Sequence, residues 1–108
     1  MTYATEDKGI EKESISRYVA INIKNGLHMR PSEKILNITS KYKGSIEVYN
    51  PRTDEYQDAK SMLTFMSLGA GRGSMVEFRA TGYGASKVLD AIESRLEEIA
   101  AEDEDRAA

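Results

Sequence analysis

Three short stretches alternate apolar and polar residues, and that period constrains the architecture more than any other feature. In residues 17–23, RYVAINI, the apolar side carries Val19, Ile21 and Ile23. In SIEVYN it carries Ile46 and Val48, and in MVEFRAT it carries Val76, Phe78 and Ala80. A strand of this period has one apolar and one polar face. A sheet of such strands needs cover on one side only. Two stretches have the spacing to supply that cover. From Pro31 onward, Ile35, Leu36, Thr39 and Tyr42 recur at steps of three and four, and Gly44 is read as the glycine that ends the helix at C′. Over residues 85–102, Val88, Leu89, Ile92, Leu96 and Ile99 form one stripe, with Glu and Lys opposite.

The rest is short. Asn50-Pro51 opens a turn, and a strand from Tyr56 to Ala59 completes a hairpin. SMLTFMSLG reads as a short helix with Ser61 as its N-cap and Gly69 as its closing glycine. AGRGS is a loop, and Gly82 and Gly84 mark a turn. The order is β-α-β-β-α-β-α. It predicts an α+β fold, an open-faced two-layer sandwich whose four-stranded, mostly antiparallel sheet carries its helices on one face. Residues 1–16 show no clean period and are expected to be a flexible extension. Residues 17–100 form one domain, and 101–108 are expected to be an acidic disordered tail.

The formal net charge is −3, and the tail AEDEDRAA carries four acids against one arginine. The rest of the chain is therefore close to neutral, which gives no support to generic nucleic-acid binding through a basic face. Tyr18, Tyr49, Tyr56 and Phe78 lie on strands, but without the paired aromatic and basic residues of an RNA-reading sheet. No apolar run is long enough to span a membrane, and the N-terminal residues lack the apolar core of a secretory signal. There is no cysteine to build a disulfide framework or a thiolate site. A cytoplasmic protein without membrane insertion is expected.

The single histidine, His28, sits in NGLHMRPSE, between a strand end and a helix start. Pro31 fits the first turn of that helix, where its missing N–H costs nothing. The backbone N–H groups of Met29 and Arg30 then project past the helix end as an anion site. The Arg30 guanidinium adds a fork of donors suited to phosphate. An imidazole nitrogen can attack phosphorus, and those donors would steady the transferring group. No metal and no cofactor are expected to take part. A histidine at a helix start also serves as a plain cap or surface residue. The coincidence of Gly26, His28, Arg30 and Pro31 at one junction favours the chemical reading.

NGLHMRPSEKI resembles the active-site segment of HPr, the histidine-containing phosphocarrier of the bacterial phosphotransferase system. The family pattern is Gly-Leu-His-Ala-Arg-Pro-Ala, and this chain departs from it at Met29 and Ser32. AKSMLTFMSLGAGRGS resembles the regulatory-serine segment of the same family. The resemblance runs from about Tyr18 to Ile99, and the order of elements matches the HPr-like fold. It implies that His28 is the phosphoryl acceptor, loaded from phospho-Enzyme I, and that Arg30 contacts the phosphate. It implies transfer onward to IIA domains of sugar transporters, by a monomeric carrier and not an independent catalyst. Ser61 would be phosphorylated by an HPr kinase/phosphorylase, and its state read by a transcriptional regulator. Met62, Leu63 and Met66 would join Met29 in a partner-docking patch, with Phe65 or Leu68 in the core. A methionine in place of alanine beside the histidine bears on partner choice more than on chemistry. A second reading is a regulatory module of carbon or nitrogen control. Its phosphorylation state would be read by a partner without sugar transport.

Overall fold

The computed structural model describes residues 14–107. Strand β1 (Ser14–Ala20) is followed by helix α1 (Met29–Thr39), the hairpin β2 (Ser45–Asn50) and β3 (Glu55–Asp58), helix α2 (Met62–Ser67), strand β4 (Met75–Thr81) and helix α3 (Ala85–Ala107). The strands form one sheet in the order β1-β4-β2-β3, antiparallel throughout. The sandwich expected from the alternation is the one observed. No helix among the described residues is long and apolar enough to cross a membrane.

The apolar sides of the strands meet the helices in a single core. Val19, Ile46, Val48, Val76, Phe78 and Ala80 are buried, as are Ile35 of α1, Phe65 of α2 and the Val88–Leu89–Ile92–Leu96–Ile99 stripe of α3. Phe65 and Phe78 place their rings 6.3 Å apart and tie α2 to the sheet. Thr39 is one of the polar residues buried with this core, as are Ser32, Asn50 and Thr64. It is fully buried, and its hydroxyl donates to the Ala59 carbonyl at 2.7 Å. Replacing Thr39 with valine keeps the shape but leaves that carbonyl unpaired, so the expected loss is about 1–3 kcal/mol in urea unfolding.

Several boundaries differ from the sequence reading, and β3, read as Tyr56 to Ala59, is Glu55–Asp58. Strand β1 begins at Ser14, within the stretch read as a flexible extension, because residues 14–16 pair with Thr81, Ala80 and Arg79. Residues 1–13 of that extension lie outside the described residues. At its other end β1 stops at Ala20, although Ile21 and Ile23 stay buried. The chain is held there by loop bonds, Ile21 N–H to Ser74 O at 2.9 Å and Gly73 N–H to Ile21 O at 2.7 Å. Helix α1 ends at Thr39 with Ser40 as a right-handed C-cap, so Gly44 does not close it. Gly44 answers instead to a close approach, since a Cβ there would lie 2.2 Å from the Thr81 carbonyl oxygen. The Tyr42 hydroxyl, bonded to that same carbonyl at 2.8 Å, draws the two segments together.

The last difference is at α3, which runs to Ala107 through the residues read as a disordered tail. Ala100 and Ala101 are strong helix formers, and Glu102 reaches Lys34 of α1 at 3.7 Å. Helix propensity and this tether carry the helix on where acidic composition alone suggested disorder.

Candidate phosphoryl-transfer site

His28 is the N-cap of α1, in extended conformation, and its side chain makes no capping bond and is exposed. The first intrahelical bond runs from the Ser32 N–H to the His28 carbonyl at 3.0 Å. Pro31, the third helical residue, has no N–H to offer. The amides of Met29 and Arg30 therefore stand ahead of the helical ladder, beside the imidazole, at the positive end of the helix dipole. Arg30 is exposed, and its guanidinium has no partner among the described residues. The structure thus brings His28, Met29 and Arg30 to one corner.

What holds that corner is a tight loop. Gly26 takes φ +72, its N–H donates to Ile23 O at 2.8 Å, and the Leu27 N–H donates to Ala70 O at 2.8 Å. Leu27 is buried and anchors the loop from below. A Cβ on Gly26 would come 2.5 Å from the Ala70 oxygen and 2.8 Å from Gly71 Cα. The loop before α1 is therefore seated on the loop after α2. Ser32, one of the two departures from the family pattern, is fully buried, and its hydroxyl donates to Leu27 O at 3.1 Å. The added hydroxyl is satisfied and braces the turn that carries His28. Neither this brace nor the seat offered by Ala70 was visible in the sequence. The glycines of GAGRGS were the one signal that two backbones meet there.

Helix α2 lies against α1 on the same side of the sheet. Ser61 is its N-cap and accepts from the Thr64 N–H at 3.4 Å, a long bond for a cap. The side chain is half-buried. Ser61→Ala is expected to cost at most about 1 kcal/mol in thermal or urea unfolding. The apolar residues of α2 divide cleanly. Phe65 and Leu68 are buried, Leu63 is 82% exposed, Met66 is at 37%, and Met62 is half-buried. Met29 is 58% exposed beside His28. Gly69, at φ +65, follows the C-cap Leu68 and turns the chain toward Ala70.

An exposed imidazole, two outward amides and an unpaired guanidinium at a helix start suit the transfer of an anionic group. The family model of the PTS HPr component phosphorylation site matches residues 15–98. The chain belongs to the PTS-HPr family. It is 32% identical over 82 residues to the phosphocarrier protein HPr of Haloferax volcanii, covering 76% of this chain and 92% of that one. It is 34% identical over 94 residues to the multiphosphoryl transfer protein of Haemophilus influenzae, covering 86% of this chain but only 19% of that longer protein. Similarity to the phosphocarrier protein NPr of Proteus mirabilis is 29% over 76 residues, covering 70% of this chain and 83% of that one. Among solved structures, HPr-C-His of Thermoanaerobacter tengcongensis superposes with a TM-score of 0.72 at 28% identity, over 81% of this chain and 96% of that one. Membership makes the chain a phosphocarrier of the phosphotransferase system.

Proposed function

We propose that His28 is the phosphoryl carrier, loaded by phospho-Enzyme I and discharged to a IIA-type acceptor in sugar uptake. The observation that supports this reading is the exposed His28 imidazole at the N-cap of α1, without a partner among the described residues, with the Met29 and Arg30 amides beside it. A ring nitrogen of His28 attacks the phosphorus on the donor histidine. The new N–P bond forms as the donor N–P bond breaks, and its electron pair returns to the donor ring. The outward amides and the Arg30 guanidinium hold the charge of the passing group. Both rings keep their second N–H, so no external base is required.

Met29, Leu63 and Met66, with the half-buried Met62, supply the docking surface. Methionine adapts to partners of different shape. The Ser61 hydroxyl is the site for an ATP-dependent kinase. A phosphate there would sit at the start of α2 and add negative charge to the docking face. The carrier acts as a cytoplasmic monomer.

The test is incubation with Enzyme I and phosphoenolpyruvate. The expected product is heavier by one phosphate, and acid removes the label. A chain that stays unmodified with active Enzyme I present would sink this reading. The likeness to NPr supports a second one, in which the phosphorylation state reports to a regulatory partner. Loading from the nitrogen-branch Enzyme I but not the sugar-branch enzyme would select it.

A further inference from the structure

Three tyrosines and one carboxylate meet on the sheet face that the helices leave open. Tyr18 is paired directly with Glu77 across β1 and β4, and Tyr49 with Tyr56 across β2 and β3. The Tyr49 and Tyr56 rings meet edge to face at 5.4 Å. The Tyr56 hydroxyl donates to Glu77 Oε2 at 2.7 Å, and Glu77 Oε1 has no hydrogen-bond partner among the described residues. Tyr18, Tyr49, Met75, Glu77 and Pro51 bound an open pocket of about 450 Å³. That is the size of a small-molecule site. Tyr18 and Met75 are each about three-fifths exposed, at 61% and 60%.

The charge of this face is what selects a ligand. Arg79 lies 3.6 Å from the centre of the Tyr56 ring, so the surface already carries a cation against a tyrosine. That guanidinium is engaged by Glu47, through Nη2 at 2.9 Å and Nε at 3.1 Å. The Glu77 carboxylate is left with a phenol as its hydrogen-bond donor. The Arg52 guanidinium lies against Gly69, which lines the pocket, so a cationic head belongs on the tyrosine side. Aromatic faces and a carboxylate together recognise alkylated ammonium groups.

We propose that the pocket bounded by Tyr18, Tyr49, Met75 and Glu77 binds a small organic ammonium ion. The cationic head is held by the tyrosine rings and the Glu77 carboxylate. This site does not depend on the phosphocarrier chemistry.

The full chain, labelled with ¹⁵N, would be titrated with choline chloride and followed by ¹H–¹⁵N spectra at constant ionic strength. The uncharged isostere 3,3-dimethyl-1-butanol serves as the control. Saturable shifts are expected at the Tyr18, Met75 and Glu77 amides, with the isostere roughly tenfold weaker. Tyr18→Ala and Glu77→Gln should each weaken choline roughly three- to tenfold, and Tyr18→Phe should retain it. Tyr18 is an exposed edge-strand residue, so its removal leaves the core intact. Equal binding of choline and the isostere, unchanged binding by Tyr18→Ala, or no saturable shift on this face would overturn the proposal.

Discussion

His28→Ala takes up no acid-labile phosphate from phospho-Enzyme I, and the loss is complete within detection. This is the expected result because His28 is the only imidazole in the chain. Its side chain caps nothing and is exposed, so removing it leaves the fold standing. The intact-mass gain of the unmutated protein should vanish, while its unfolding midpoint shifts by no more than a typical surface substitution allows, about 0.5 kcal/mol. Arg30→Ala gives the intermediate case. The Met29 and Arg30 amides remain, but the guanidinium is gone. Loss of one preorganised charge-stabilising donor costs about 10²–10³ in rate. Label would still accumulate, slowly, and rapid-quench uptake would resolve the difference. Persistence of acid-labile label on His28→Ala would move the acceptor elsewhere in the chain and overturn the assignment.

Gly26→Ala should be the costliest single-methyl change near the site. The residue stands at φ +72, where an alanine loses about 1–2 kcal/mol to its own backbone. The new methyl would also meet the Ala70 carbonyl oxygen at 2.5 Å and Gly71 Cα at 2.8 Å. Both are backbone atoms and cannot rotate away. Strain and overlap together predict a loss of about 2–4 kcal/mol. In a domain of this size that lowers the melting temperature by roughly 10–20 °C. Gly71→Ala is the control, because a Cβ at Gly71 meets nothing within 4 Å. Its stability should stay within about 0.5 kcal/mol of the parent. If the two variants were equally stable, the seating of the His28 loop on Ala70 would have no energetic weight. Gly26→Ala should also slow phosphoryl uptake, since the Leu27 N–H to Ala70 O bond that sets the helix start would be pushed apart.

The elements were legible where their period was clean. Val76, Phe78 and Ala80 alternate without interruption, and β4 appears as MVEFRAT, residue for residue. The stripe from Val88 to Ile99 is wholly buried in α3. Ser61 and Gly69 read correctly as the two ends of α2, because capping and left-handed closure are local requirements. Errors fell where distant segments decided the outcome. Gly44 looks like a helix stop, yet its constraint comes from Thr81 in another strand. Ser14 to Ser16 carry no decisive pattern, and they become strand because β4 offers them partners. The acidic end of α3 reads as disorder by composition, but Lys34 gives Glu102 a counter-ion.

The same division holds for the site. The order His28-Met29-Arg30-Pro31 at a strand-to-helix junction already determined that one imidazole, two amides and one guanidinium would share a helix start. Those groups are neighbours in the chain, and helix geometry places neighbours. The sequence also determined that the sheet would keep one open face, because a period of two leaves every second side chain opposite the core. Only the tertiary structure decided that the His28 loop rests on Ala70 and that Ser32 braces Leu27 from within. Only it set Tyr18, Tyr49 and Tyr56 around Glu77, by bringing β1, the β2–β3 hairpin and β4 together from separate parts of the chain. Contacts of that kind depend on strand order and register, and these are chosen by the packing of the whole core.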